Sequence, residues 1–190
     1  MIVGASPVEY PRLAQLLAAA FADNPVSDWL FDGAQDSAHP AFFLAFLRLA
    51  QAGGRVEQSL DGSAVAVWID RTDTDPGAEA AAREAVDRAL GAAYRGRWRT
   101  LDRALQPTHP PQPHWWLAFL GTAPGQRGRL HGHHLLEHAR GWLGGHPAHL
   151  EATSRRLTGY YRRYGFQSTG TIAIPLGPTL HPMWRPGTDG

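Results

Sequence analysis

No cysteine occurs in the 190 residues. That excludes disulfide frameworks, thiolate zinc sites, iron–sulfur clusters and cysteine nucleophiles together. Lysine is also missing, since every one of the 18 basic residues is arginine. Schiff-base chemistry and a phosphate-loop lysine are therefore ruled out, and any phosphate must be held by backbone N–H groups and arginine. No stretch approaches the ~20 apolar residues of a membrane span, and no basic segment followed by an apolar core opens the chain. The expectation is a protein without a membrane partner, located in the cytoplasm.

Net charge is scarce too, at +1, but it is unevenly distributed. Residues 1–125 carry 10 Arg against 14 Asp and Glu, a net −4, and residues 126–190 carry 8 Arg against 3 acids, a net +5. A balance so close to zero argues against a general nucleic-acid binder, which needs many phosphate contacts. The basic final third suits a smaller anionic partner. A hydrophobic share of 43% is too high for a disordered chain. The length suits one domain, taken as residues 1–190.

Periodicity supplies the elements. Met1–Val3 reads as a strand, followed by a helix with Leu13, Leu16, Leu17, Ala20 and Phe21 on one face. Ser6-Pro7-Val8-Glu9 resembles a capping box, which Pro11 complicates, and Asp23-Asn24-Pro25 ends the helix. A second helix is expected over about 40–51, closed by Gly53-Gly54. Arg55–Leu60 and Ser63–Ile69 form a hairpin across Asp61-Gly62. Residues 78–105 read as two helical pieces broken near Gly96, and His109–Pro113 as a proline-rich loop. His114–Thr122 then reads as a buried strand, Gly132–Leu143 as an amphipathic helix and Ala148–Ala152 as a strand. Leu157–Tyr164 is a short helix, and Phe166–Ile174 and Pro182–Arg185 are final strands. This order predicts an α/β domain with a mixed central sheet flanked by helices.

Chemistry concentrates in Leu117–Leu136, LAFLGTAPGQRGRLHGHHLL, where a strand enters a Gly/Arg-rich loop and then a helix. Such a layout gathers N–H groups and a positive helix end into an anion cradle, with fixed charge from Arg127 and Arg129. Gly128 and Gly132 allow close backbone approach. The same turn also serves as an ordinary strand–helix connector. Further on lies HLEATSRRLTGYYRRYGFQSTG, residues 149–170.

Together these segments resemble the GNAT superfamily of N-acyltransferases. Arg127-Gly128-Arg129-Leu130-His131-Gly132 matches its R/Q-x-x-G-x-G/A pyrophosphate turn, and Tyr161-Arg162-Arg163-Tyr164-Gly165-Phe166 its Y-x-x-x-GF element. The branch it looks most like is the puromycin N-acetyltransferase type, through residues 18–32, 62–70 and 109–121. The resemblance implies a splayed strand pair forming an acyl-donor cleft and an amine that attacks the thioester directly. Acetyl-CoA or another acyl-CoA is the implied co-substrate.

What the resemblance implies for single residues is as follows. Leu120, Gly121 and Thr122 would run beside the pantetheine, while Arg127, Gly128, Arg129, Leu130, His131, Gly132 and His133 would hold the phosphates. Tyr161 would be the general acid for the departing thiolate; its bland alternative is a core aromatic between Tyr160 and Tyr164. Glu151 would take the amine proton, or else only pair with Arg155 or Arg156. Phe21, Asp23, Trp29 and Phe31 would line the acceptor pocket, suiting a cationic, partly apolar small-molecule amine; otherwise they are core and helix-end residues.

Two positions depart from the family. Leu130 stands where glycine is usual and would obstruct a phosphate if its φ is positive, and Leu157 stands where the branch has asparagine. Both lie on the donor side. They motivate a second reading, in which the acyl group arrives on the phosphopantetheine arm of an acyl carrier protein that meets Arg127, Arg129, Arg155, Arg156, Arg162 and Arg163. A third is a module that binds coenzyme A without turnover. His134 and His138 have the i,i+4 spacing of two zinc ligands but lack a third, so no metal is expected. Antibiotic self-protection and natural-product tailoring are the settings that fit an amine acyltransferase of this branch.

Overall fold

The computed structural model describes residues 1–34, 36–73 and 75–188. The strands are β1 (Ile2–Gly4), β2 (Gly54–Ser59), β3 (Ala64–Arg71), β4 (His114–Thr122), β5 (Ala148–Ala152), β6 (Gln167–Ser168), β7 (Ile172–Ala173) and β8 (Thr179–Arg185). The helices are α1 (Tyr10–Ala20), α2 (Pro25–Phe31), α3 (Ala38–Ala52), α4 (Pro76–Leu105), α5 (His131–Leu143) and α6 (Arg155–Arg162).

Pro11 causes no break because it sits in the first turn of α1, where its missing N–H has no intrahelical acceptor to lose. A 3₁₀ turn over Pro7–Glu9 leads in, and Ser6 N–H donates to Glu9 Oε2 at 2.8 Å. The break at Asn24-Pro25 also starts the unforeseen α2, because the Asn24 side chain accepts from Val26 N–H at 2.9 Å. The long helix α4 breaks at Gly91 (φ 62°, ψ −165°), not at Gly96. The expected strand Phe166–Ile174 is two short strands, β6 and β7, both paired with β8.

The sheet runs β1-β2-β3-β4-β5-β8-β6, antiparallel at every step except β4–β5. Alternation along β3 divides two cores. Val65, Val67 and Ile69 face Leu13, Leu17, Phe43 and Phe46 of α1 and α3, while Ala64, Ala66 and Trp68 face Leu135, Leu136 and Leu143 of α5. The predicted mixed sheet between helical layers is the one found.

Two irregularities in β4 create the site. Its register against β3 shifts between Val67↔Phe119 and Trp68↔Leu117, a bulge that re-aims the strand. Its parallel pairing with β5 covers only Trp115↔Ala148 and Trp116↔His149. Beyond Trp116 the two strands diverge. Gly121 then lets α1 rest on the free end of β4, since a Cβ there would come within 2.8 Å of Leu17 Cδ2 and 3.3 Å of Ala20 Cβ.

Candidate active site

A cleft of about 1000 Å³ opens where β4 and β5 part. Leu120, Gly121 and Thr122 form one wall, and β5, with Tyr160 and Tyr161 of α6, faces them. The start of α5 lies at the mouth. Its first N–H groups have no intrahelical partner and lie at the positive end of the helix dipole, so the turn can receive an anion. Gly132 permits the tight join to α6, since a Cβ there would sit 3.0 Å from Tyr160 Oη and 3.7 Å from Leu120 Cδ2.

The turn itself uses left-handed backbone at Gly128 (φ 84°) and Leu130 (φ 63°). Leu130 thus keeps the conformation that glycine adopts freely, and the residue is 63% exposed at the mouth. Its φ is the positive one for which obstruction of a phosphate is expected. The imidazoles of the turn are used structurally. His131 Nε2 lies 3.2 Å from Ser63 Oγ, and His133 Nδ1 lies 2.9 Å from Tyr164 Oη.

Two expected roles cancel each other. Arg127 donates to both Asp23 oxygens at 3.0 and 2.9 Å and to the Ala20 carbonyl at 2.9 Å. The hydrogen bonds from Arg127 are the main reason that the Asp23 carboxyl falls to about 2. Asp23 is therefore tied to the turn before α5 and is not a free anchor for an amine, and Arg127 spans from that turn to the α1–α2 corner. Arg129 is exposed and lies off the cleft lining.

The expected acceptor pocket also needs correction. Phe21 does line the cleft, its ring against Phe43 at 5.4 Å and Phe119 at 5.8 Å. Phe31 is core, 1% exposed, packed on His39 and Tyr94 at 4.5 and 5.3 Å. Trp29 lies against Gly177, away from the lining. The aromatic wall is built instead from Phe21, Phe42, Phe43, Phe46, Trp98 and Trp116. Helix α3 supplies three of these, a consequence of a segment apolar nearly all round.

Tyr161 lines the cleft on α6, with its ring 5.3 Å from Tyr160 and 6.0 Å from Phe166. Burial, with a smaller contribution from Tyr164, pushes its hydroxyl above the ordinary tyrosine range, so it is protonated at neutral pH. Among the described residues the hydroxyl has no hydrogen-bond partner and can turn toward a ligand.

Glu151 projects from β5 with 8% of its side chain exposed. Its partners are not Arg155 or Arg156. Trp116 Nε1–H donates to Oε2 at 2.9 Å, His149 Nε2 lies 2.9 Å from Oε1, and His109 Nε2 lies 3.7 Å from Oε1. Burial pushes the carboxyl up, but the His149 hydrogen bond, the imidazole charges and the Trp116 bond outweigh it, and the net direction is down. Glu151 stays ionised. His109 is lowered as well, to about 4, chiefly by burial, which in its case favours the neutral form. His114 is also lowered by burial, and its Nδ1 lies 2.7 Å from the Gln112 carbonyl. One nitrogen each of His109 and His149 and one Glu151 oxygen lie within 4.8 Å of one another. Sequence reading missed the imidazoles of this cluster. The available signal was a histidine inside the proline loop that leads into the Trp115-Trp116 strand.

No protein-family model matches the chain. Solved structures do. A structure of the histone acetyltransferase HPA2 and related acetyltransferase from Corynebacterium glutamicum aligns over 100% of this chain and 97% of its own, with 26% identity and a TM-score of 0.70. The polyamine N-acetyltransferase of Drosophila melanogaster aligns over 97% and 98% at 18% identity, TM-score 0.69. Arylalkylamine N-acetyltransferase 2 of Aedes aegypti aligns over 97% of both chains at 15% identity, TM-score 0.66. The chain has the GNAT acetyltransferase fold, and the neighbours support an acyltransferase enzyme.

Proposed function

We propose that the protein transfers an acetyl or similar acyl group from acyl-coenzyme A to a primary amine of a small molecule. The observation that carries this reading is the divergence of β4 from β5 after Trp116, which opens onto the N-terminus of α5 with Tyr161 opposite. Pantetheine would lie along Leu120–Thr122, with its phosphates at the N–H groups of Gly128–His133. The four exposed arginines on and just after α6, Arg155, Arg156, Arg162 and Arg163, make no ion pair among the described residues and supply positive charge on that side. Tyr161 would protonate the departing thiolate.

An amine acceptor is supported by the cleft itself. Its aromatic wall and the buried, ionised Glu151 favour a cationic, partly apolar group. Neighbours named for polyamine and arylalkylamine substrates point the same way. The likeness to puromycin-type enzymes in the sequence fits a role in antibiotic self-protection or natural-product tailoring.

The test is a mass shift. Incubation with acetyl-CoA and a panel of aminonucleosides, aminoglycosides, polyamines and arylalkylamines should yield products heavier by one acetyl group. Tyr161→Phe should lower turnover more than tenfold while acetyl-CoA binding stays intact. Unchanged turnover removes Tyr161 from the mechanism.

A second donor is favoured by Leu130 alone. Its left-handed, exposed position at the mouth leaves less room for a pyrophosphate than for the single phosphodiester of a carrier-protein arm. Calorimetry separates the two: absence of heat with millimolar acetyl-CoA would favour the carrier protein.

A further inference from the structure

Glu151 is a buried carboxylate on the cleft lining, yet it is badly placed to accept a proton. Oε2 is already taken by the Trp116 indole N–H and Oε1 by His149, both at 2.9 Å. His149 is no better, because it is wholly buried and does not reach the cleft.

His109 differs from both. It lies on the cleft lining with 13% of its side chain exposed, its ring edge-on to Trp116 at 4.8 Å. Its Nδ1 is buried without a partner, and its Nε2 stands 3.7 Å from Glu151 Oε1, too far for a hydrogen bond but close enough for charge stabilisation. Two prolines, Pro110 and Pro111, restrict the backbone that carries it.

We infer that His109 is the proton acceptor of the acyl transfer and that Glu151 is its counter-charge. This rests on the acyl-transfer reading above. The amine, having released its ammonium proton to solvent before it is seated, forms the N–C bond to the thioester carbonyl carbon with its lone pair, and collapse breaks the C–S bond. The proton leaving the nitrogen goes to His109 Nε2, in the tautomer that holds its own proton on Nδ1, and the imidazolium faces the Glu151 carboxylate. The thiolate takes the Tyr161 hydroxyl proton. Phenolate and imidazolium each return to their starting state by exchanging one proton with solvent.

The charges around His109 come from several elements. Glu151 favours its protonated form, and His149 on β5, Arg71 on β3 and His114 on β4 oppose it. Burial is the larger influence and keeps the imidazole neutral at working pH, as a base must be.

The experiment compares the parent enzyme with His109→Ala and His109→Gln on whichever amine the parent acetylates. His109→Ala should lose about a hundredfold or more in kcat/KM for the amine, within the range for a missing acid–base group. Added imidazole should restore at least tenfold of that, and acetyl-CoA affinity by calorimetry should stay within twofold. His109→Gln, closer in volume, should lose the acidic limb of the parent pH–rate profile. A variant within threefold of the parent, or a retained acidic limb in His109→Gln, overturns the inference. So does loss of parent activity to dipicolinate with recovery on adding zinc, because the imidazoles would then be ligands. A parent that acetylates no amine overturns the acyl-transfer reading and this inference together, whereas an active parent with an indifferent His109→Ala overturns only the inference.

Discussion

Acid should unfold this protein through His109, and the size of the effect follows from its burial. The imidazole falls from an ordinary value of 6.5 to about 4, mainly because the charged form loses its water. Between those values the unfolded chain binds a proton that the folded chain refuses, so stability decreases as pH falls. Integrated from pH 7 down to 4.5, this single group removes about 2.5 kcal/mol. That is a large part of the ~5–15 kcal/mol typical of a domain. His114 and His39, both lowered by burial, act in the same direction. Glu151, lowered overall, adds its own loss as pH falls from the ordinary carboxyl range toward its depressed folded value. Urea midpoints followed by tryptophan fluorescence between pH 7 and 4.5 measure the slope. His109→Gln should give a shallower profile, flatter by about 2.5 kcal/mol over that range. Parallel profiles for parent and variant would refute the argument, since the buried neutral imidazole would then not be what acid attacks.

Leu130→Gly removes a left-handed strain of about 1–2 kcal/mol but adds about 0.5–1 kcal/mol of unfolded-state entropy, so stability should change little. Acetyl-CoA affinity by calorimetry should rise at least threefold; no change would mean that the leucine does not obstruct the donor. Asp23→Ala breaks the bidentate pair with Arg127, both partners being largely exposed, so stability should shift by under about 1 kcal/mol. Freed from its carboxylate, Arg127 should tighten acetyl-CoA binding, and weaker binding would show that the pair is needed to shape the loop.

Strand and helix periodicity made much of the fold legible. Val65, Val67 and Ile69 alternate with Ala64, Ala66 and Trp68, which is enough to place β3 between two apolar layers. Strands β4 and β5 coincide with their expected spans, and the Asp61-Gly62 turn marks the hairpin. Helix α2 was hidden because seven residues are too few to establish a period, and its start signal reads equally well as a stop. The break in α4 fell at Gly91, since either glycine permits it and tertiary packing chose between them.

The composition of the cleft was written in the chain: an arginine–glycine turn, tyrosines on a short helix and a glutamate on a strand. Only the folded molecule decided which of them meet. Asp23 and Arg127 are 104 residues apart, and no local pattern pairs them. His109 reaches Glu151 because β4 and β5 run parallel for two registered pairs and then separate. Local conformation depends on near neighbours and can be read along the sequence. A long-range contact depends on the packing of every layer at once, which no single segment encodes.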